Sequence, residues 1–223
     1  MKIAFSTLAC PEMSWQDIYS MAKDMDFDGI EIRGLGDDIF AVKAQPFTEQ
    51  ELPNTIKRLK SLRLEIPCFS SACCLKFADK RQENKEEITG YIQLAQKTGT
   101  PFVRILADLD VMPDGEVDDD VVIEQLRELA PIAQKSGVTL LVETNGVYAD
   151  TARLRSLLER VASDAVAALW DMHHPYRIKG ELPEQTVQNL GAFIKYIHVK
   201  DSVMHDGKIE YRMMGEGGLP IDE

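Results

Sequence analysis

Short runs of apolar and β-branched residues alternate along the chain with longer segments in which apolar residues recur every three or four positions. The short runs have the length and composition of buried strands, and the longer segments have the spacing of amphipathic helices. The predicted strands span residues 2–6, 29–33, 64–70, 102–106, 139–143, 167–171 and 196–200. A regular alternation of strand and helix predicts a parallel β-sheet built from βα units.

Capping residues mark the ends of the intervening helices. Ser14 and Asp150 suit the N-cap position, and Thr48 with Glu51 has the spacing of a capping box. Gly137 follows the last helical residue of its segment, where glycine commonly ends a helix. The predicted helices span residues 14–25, 48–61, 83–98, 118–136, 150–161 and 183–190.

Two architectures fit this alternation, a closed (β/α)8 barrel and an open doubly wound sheet. The open sheet commonly carries a glycine-rich phosphate loop after an early strand, and the segment FSTLACPEMS after the first strand contains no glycine. The sequence therefore favours the α/β class and a (β/α)8 TIM barrel. Because no eighth strand follows GEGGLPIDE, residues 1–223 are expected to form a single barrel domain that is incomplete at its C-terminus.

Composition narrows the classes of function. The chain has 25 Lys and Arg residues against 37 Asp and Glu residues, and the net charge of −12 argues against nucleic acid as a partner. The apolar segment before Pro11 is too short for a signal peptide or a membrane span, so a cytoplasmic protein without a membrane partner is expected. The cysteines form no C-x-x-C pair and are expected to be reduced; a thiol nucleophile among Cys10, Cys68 and Cys73 is the less favoured alternative.

Three late strands end in polar residues, and the chemistry of a TIM barrel is located where its strands end. LLVETN supplies Glu143, AALWDMHH supplies Asp171, and YIHVKD supplies His198. Two carboxylates and an imidazole form a ligand set for a divalent cation such as Mn, Mg, Co or Zn. Each residue alone could equally be a salt-bridged strand end, but three on consecutive strands favour a shared metal site.

Further polar residues lie near the same strand ends. His174 follows Asp171 by three positions and is a candidate for catalysis, for substrate contact or for a second metal. Lys200, Arg104 and Glu31 are candidates for binding the hydroxyl groups or phosphate of a substrate. For each of the last three, a structural ion pair in the barrel mouth is an equally good interpretation.

The motifs VETN, WDMHHP and IHVKD, in this order, resemble the fifth, sixth and seventh strand motifs of the sugar phosphate isomerase/epimerase superfamily, the xylose-isomerase-like TIM barrels. MKIAFSTLA, GIEIR and GEGGLPID extend the resemblance over essentially the whole chain. The resemblance implies that Glu143, Asp171 and His198 are metal ligands. It also implies that His174, in the D-x-x-H pattern, contacts substrate or a second metal.

The resemblance implies a divalent-metal-dependent isomerase or epimerase that acts on a sugar, a sugar phosphate or a related polyol ketone. In such enzymes a carboxylate, here Glu143, takes a proton next to the polarised carbonyl and an enediolate forms. An inosose dehydratase-type lyase would use the same residues. An endonuclease IV-like phosphodiesterase is less favoured because it needs more histidines than the four present.

One departure from the family pattern bears on function. Members usually carry a fourth ligand, a glutamate at the end of the eighth strand, and Glu216 is expected in a loop that cannot replace it. A fragment, a barrel completed by another chain, and a non-catalytic sugar-binding remnant are therefore alternatives. Unpaired edges of the first and seventh strands would favour association, so a homo-oligomer is also an open alternative.

Overall fold

Parallel strands and helices alternate through the computed structural model, which describes residues 1–109, 111–113 and 115–221. The parallel strands are β1 (Ala4–Ser6), β2 (Gly29–Glu31), β3 (Cys68–Cys74), β4 (Phe102–Leu106), β5 (Thr139–Glu143), β6 (Val166–Asp171) and β7 (Ile194–His198). The α-helices are α1 (Trp15–Asp24), α2 (Leu52–Leu62), α3 (Arg81–Thr98), α4 (Asp119–Ser136), α5 (Thr151–Val161) and α6 (Pro183–Leu190). Among the described residues, no helix combines the length and the apolar character needed to cross a membrane.

The order of the strands in space follows their order in the chain. β3, β4, β5, β6 and β7 pair in parallel in that order, and β1 pairs in parallel with β2. Two isolated parallel bridges, Gly29 to Glu65 and Ile32 to Phe69, connect β2 to the segment that contains β3. In a doubly wound sheet the strand order changes direction part-way across the sheet. The strands here follow one another in sequence order, as in the wall of a TIM barrel, which confirms the predicted fold class.

Side chains alternate between the two faces of each strand. Leu140 and Val142 of β5 belong to the large apolar core between the sheet and the helices. Leu141, from the same strand, packs instead in a smaller cluster with Ala167 and Leu169 of β6, which occupies the barrel interior. Residue 143 follows on the interior face, so β5 directs the Glu143 side chain into the mouth of the barrel.

Several predicted boundaries shift in the structure. The predicted capping box at Thr48 is wrong, because the Thr48 hydroxyl donates to the Gln45 carbonyl and α2 begins only at Leu52, without a side-chain cap. β3 lies further along the chain than predicted, since it pairs with β4 from Cys68 onward. β7 ends at His198, which leaves Lys200 just beyond the strand.

An antiparallel hairpin that was not predicted follows β7. Its strands, β8 (Asp201–His205) and β9 (Lys208–Arg212), are joined by Asp206 and Gly207, both with positive φ. This is the backbone conformation that favours Asp-Gly in two-residue hairpin turns. The buried Asp201 carboxylate accepts backbone N–H groups from Gly215, Gly217 and Leu219, and it thereby holds segment 215–219 against the hairpin.

We predict that Gly146→Ala destabilises the protein strongly. Gly146 begins the turn after β5 with φ +59°, and a Cβ atom there would overlap the Asp108 carboxylate, which accepts the Val147 N–H at 3.0 Å. The matched control is Gly137→Ala, at φ +68° with open space around its Cβ position.

The control should lose only about 1–2 kcal/mol, the conformational cost of the left-handed region. Gly146→Ala should lose a further 1–3 kcal/mol or so, because a buried hydrogen bond is disrupted. Urea denaturation measures both values. Equal losses for the two variants would contradict the packing argument.

Candidate metal and substrate site

Strand ends on the barrel interior bring a group of charged side chains together at the mouth. Most of these side chains are buried. They come from β2, β4, β5 and β6, from β7, and from the segments that follow β6 and β7. The group comprises Glu31, Arg104, Glu143, Asp171, His174, His198 and Lys200.

The three predicted metal ligands converge. One donor atom each from Glu143, Asp171 and His198 lies within 4.8 Å of the others. Glu143 and Asp171 are buried and His198 is partly exposed. One ion could therefore contact all three side chains, while their role as ligands stays a prediction.

Glu143 is held between two cations. Its Oε2 atom is 2.9 Å from Arg104 Nε, and its Oε1 atom is 3.5 Å from His198 Nδ1. Arg104 is fixed by a second contact, since its Nη1 donates to the Ser71 carbonyl at 3.0 Å. Burial raises the pKa of Glu143, but the Arg104 and His198 charges outweigh burial and hold this pKa well below its usual value. Glu143 is therefore ionised.

His198 bridges two carboxylates. Its Nε2 atom lies 2.8 Å from Glu31 Oε2, and the Ser70 hydroxyl donates to the other Glu31 oxygen at 2.7 Å. Burial lowers the pKa of His198, but Glu31 and Glu143 outweigh burial and raise this pKa to about 10. A protonated His198 thus supplies positive charge that a metal could supply instead, and the proton must leave before the ring can bind a metal.

Lys200 joins Asp171 to His174. Lys200 Nζ is 2.7 Å from Asp171 Oδ2 and 3.0 Å from His174 Nε2. His174 Nδ1 lies 3.0 Å from the Thr144 carbonyl, which can only accept, so Nδ1 carries the ring proton and Nε2 has a lone pair. Burial and, less strongly, Lys200 lower the pKa of His174, against the opposing effect of Asp171. His174 is therefore a neutral imidazole.

Comparison with known proteins identifies the family. The family model described as xylose isomerase-like TIM barrel matches residues 20–223. The chain belongs to this family. The resemblance inferred from the VETN, WDMHHP and IHVKD motifs is thereby confirmed.

Solved structures with the same fold include three with informative names. AsbF from Bacillus anthracis, described as a probable 3-DHS dehydratase involved in petrobactin synthesis, has a TM-score of 0.76 and 20% identity over 91% of this chain and 74% of its own. The 3-keto-D-glucoside 4-epimerase YcjR from E. coli has a TM-score of 0.75 and 15% identity, over 99% and 84%. The IOLI protein with a bound zinc atom has a TM-score of 0.78 and 17% identity, over 100% and 82%.

At these identities the likeness establishes the fold alone. No curated protein matches the chain in sequence.

Three of the four predicted substrate-binding residues, all except His174, form ion pairs within the protein. Arg104 pairs with Glu143, Lys200 pairs with Asp171, and Glu31 contacts His198. Each of these three side chains therefore has a structural partner, and each lies near the C-terminal end of a strand, the face at which TIM barrels carry their active sites. Substrate binding by these residues stays a prediction.

Two residues that contact the site were not predicted from the sequence. Thr144 accepts the Asp171 backbone N–H with its hydroxyl at 2.9 Å, and Ser70 orients Glu31. Thr144 directly follows β5, and Ser70 ends the predicted strand 64–70 although it lies within β3 in the structure. A small polar residue at the end of an apolar run is the only sequence signal for either.

A second group of possible ligands lies beside the first. Donor atoms of Asp171, His173 and His174 also fall within 4.8 Å of one another. His173 Nε2 is 2.9 Å from the Ser202 hydroxyl, and its ring packs against Tyr211 of the hairpin with a centroid distance of 5.4 Å. Burial, above all, lowers the pKa of His173 to about 4. His173 therefore fastens the hairpin to the end of β6.

The thiol alternative is disfavoured by the surroundings of the cysteines. Cys68 and Cys73 are buried, and burial raises the pKa of both thiols. Burial also raises the pKa of the partly exposed Cys10. A protonated thiol is a poor nucleophile, so none of the three is favoured as a catalytic residue.

We predict that His198 titrates near pH 10 in the metal-free protein and that Glu31→Gln lowers this pKa, because the variant removes the nearest negative charge. NMR titration of the His198 ring protons measures both values. Glu210→Gln, in the hairpin, is the control and should leave the His198 pKa unchanged. An identical His198 pKa in wild type and Glu31→Gln would contradict the ion-pair account.

Proposed function

We propose that this chain is a divalent-metal-dependent isomerase or epimerase that transfers a proton at the carbon next to the carbonyl of a small sugar or related polyol ketone. The observation that carries the proposal is the convergence of Glu143, Asp171 and His198, with donor atoms within 4.8 Å, at the carboxyl ends of the strands. Family membership and the epimerase and zinc-containing structures of the same fold support it.

The residues present fit a divalent cation. Glu143 Oε2 and Asp171 Oδ2 are buried and have no hydrogen-bond partner among the described residues, although each faces a cationic side chain. Buried anionic oxygens without hydrogen bonds are uncommon, and two of them beside an imidazole suit Mn, Mg, Co or Zn. A bound cation would polarise the substrate carbonyl and make the neighbouring C–H more acidic.

His174 is the group we assign to proton transfer. The sequence pointed to Glu143, but Arg104 holds the pKa of Glu143 so low that its carboxylate is a weak base. His174 is neutral, and the Thr144 carbonyl orients the ring so that the Nε2 lone pair points toward Lys200. Glu143 is accordingly assigned as a ligand, and His174 takes the proton.

Arg104 and Lys200 would stabilise the negative charge of the enediolate left by proton removal. Both are cationic side chains fixed by contacts, Arg104 by the Ser71 carbonyl and Lys200 by Asp171. Fixed cations stabilise developing charge without reorganising during the reaction. The chain's own residues can therefore remove the proton and balance the charge that results.

A lyase is the second candidate, and the position of Lys200 favours it. A departing hydroxyl needs a proton, and Lys200 Nζ lies 3.0 Å from the proton-accepting atom of His174. An inosose dehydratase-type reaction would start with the same proton removal. Detection of a dehydrated product rather than an epimer would select this candidate.

We predict that the wild-type protein binds one Mn²⁺ and that Asp171→Asn and His198→Gln each weaken binding by about tenfold or more, because each removes a ligand. Isothermal titration calorimetry measures the affinity. Glu128→Gln, which changes an exposed carboxylate on α4, is the control and should bind as wild type does. Unaltered Mn²⁺ affinity in both Asp171→Asn and His198→Gln would contradict the assignment of these residues as metal ligands.

We predict that His174→Gln abolishes exchange of the α-proton of a ketose in D2O while Mn²⁺ binding persists, because the variant removes the base and keeps the ligands. Glu143→Gln should lose both exchange and Mn²⁺ binding. NMR of a ketose panel measures exchange, and circular dichroism checks that both variants fold. If His174→Gln still exchanges and a metal-bound Glu143→Gln does not, the base is Glu143.

A further inference from the structure

A groove between α1 and α2 is lined by aromatic and basic side chains. It has a volume of about 470 Å³, and its lining includes Trp15 and Tyr19 of α1 and Lys57 and Arg58 of α2. The helices of a TIM barrel form its outer ring, so the groove lies on the side of the molecule, away from the strand ends that carry the proposed metal site. It is therefore a surface separate from that site.

Two aromatic rings form one wall of the groove. Trp15 and Tyr19 lie one helical turn apart and contact each other with a centroid distance of 5.7 Å, and Trp15 also contacts the core residue Phe47 at 5.9 Å. Both rings remain partly exposed. Aromatic side chains that are already ordered lose little entropy when a partner covers them, and Trp and Tyr are enriched among the residues that dominate protein–protein binding. This wall suits an apolar side chain of a partner.

The other wall of the groove belongs to a basic helix. α2 contains no acidic residue, and its exposed cations form no ion pair with any residue that the structure describes. These cations are Lys57, Arg58, Lys60 and, at the C-cap, Arg63. The Arg58 guanidinium lies over the Tyr19 ring, 5.8 Å from its centroid, so positive charge adjoins the aromatic wall directly.

Few carboxylates offset this charge within the groove. Glu51 lines it next to the start of α2, where its carboxylate accepts a hydrogen bond from the Asn54 side chain at 3.3 Å. The acidic residues of α1, Asp17 and Asp24, follow Trp15 by two and nine positions, which places them roughly 160–180° around the helix from Trp15. Two cations and one carboxylate therefore line the groove, on a chain whose net charge is −12.

We propose that this groove binds an acidic segment of a partner protein, with an apolar side chain of the segment against Trp15 and its carboxylates on Lys57 and Arg58. Charge complementarity carries the choice of partner, because unpaired exposed cations beside an aromatic wall match a segment that combines carboxylates with an apolar residue. A nucleic acid is a poorer match, since beyond the groove its phosphates would meet a chain of net charge −12. Binding here is independent of the proposed metal site.

Fluorescence anisotropy with labelled synthetic peptides tests the choice of partner. The first peptide has one phenylalanine between two runs of aspartate. In the second peptide alanine replaces the phenylalanine, and in the third lysine replaces every aspartate. The wild-type protein should bind the first peptide saturably at one site, the second about threefold to tenfold more weakly, and the third not at all. Added salt should weaken binding of the first peptide, because exposed charges are screened.

Substitutions in α2 test the location of the site. Lys57→Gln/Arg58→Gln should weaken binding of the first peptide by about threefold to tenfold, as expected for loss of two exposed charge pairs. The matched control is Arg81→Gln/Lys85→Gln, which removes two partly exposed cations from α3 and should bind the peptide as wild type does. Circular dichroism checks that both double variants fold.

Two results with the acidic peptide would overturn the proposal, namely no saturable binding by the wild type, or equal binding by the wild type and Lys57→Gln/Arg58→Gln. Tighter binding of single-stranded DNA than of the peptide, lost in the same variant, would also overturn it, because the occupant would then be a nucleic acid. A wild-type dimer that this variant dissociates, measured by analytical ultracentrifugation, would do the same, because a second copy of the chain would then occupy the groove.

Discussion

Burial of three carboxylates at one rim of the barrel is the constraint on which the site depends. Glu31, Glu143 and Asp171 are all buried, and an isolated buried carboxylate is strongly unfavourable. In this structure a cationic side chain compensates each of them, through the pairs Glu31 with His198, Glu143 with Arg104, and Asp171 with Lys200. Removing one member of such a pair would leave an uncompensated buried charge.

The same pairs explain how one site can exist with and without a cation. A protonated His198 between Glu31 and Glu143 supplies positive charge in the metal-free protein, and a metal would take over that task once the proton leaves. Lys200 already contacts both Asp171 and His174, so it links a proposed ligand to the residue that we assign to proton transfer. The proposed metal binding and the proposed proton transfer therefore involve one electrostatic network.

Much of the fold could be predicted from local sequence, because continuous apolar runs bounded by turn residues define buried strands. β4 and β5 have the predicted limits for this reason. The hairpin was missed because β8 and β9 are short and partly polar, although Asp206–Gly207 was a usable turn signal. The capping box predicted at Thr48 does not form, because the Thr48 hydroxyl donates to the Gln45 carbonyl in the preceding turn.

The site could be predicted only in part. The type and order of Glu143, Asp171 and His198 indicated a metal site, because strand ends of a barrel meet at one rim. The ion pairs could not be predicted, since Glu31 and His198 are 167 residues apart and their contact depends on the tertiary fold that brings β2 near β7. Likewise the tautomer of His174 depends on a backbone carbonyl, which carries no sequence signal.

Family membership leaves more than one type of reaction open, because an epimerase and a probable dehydratase have the same barrel fold.

The central claim is that two carboxylates and one imidazole hold a single cation. A crystal structure of the protein soaked in Mn²⁺, with anomalous data, tests it most directly. The account predicts one strong anomalous peak in contact with Glu143, Asp171 and His198, and a peak elsewhere, or none, would contradict it.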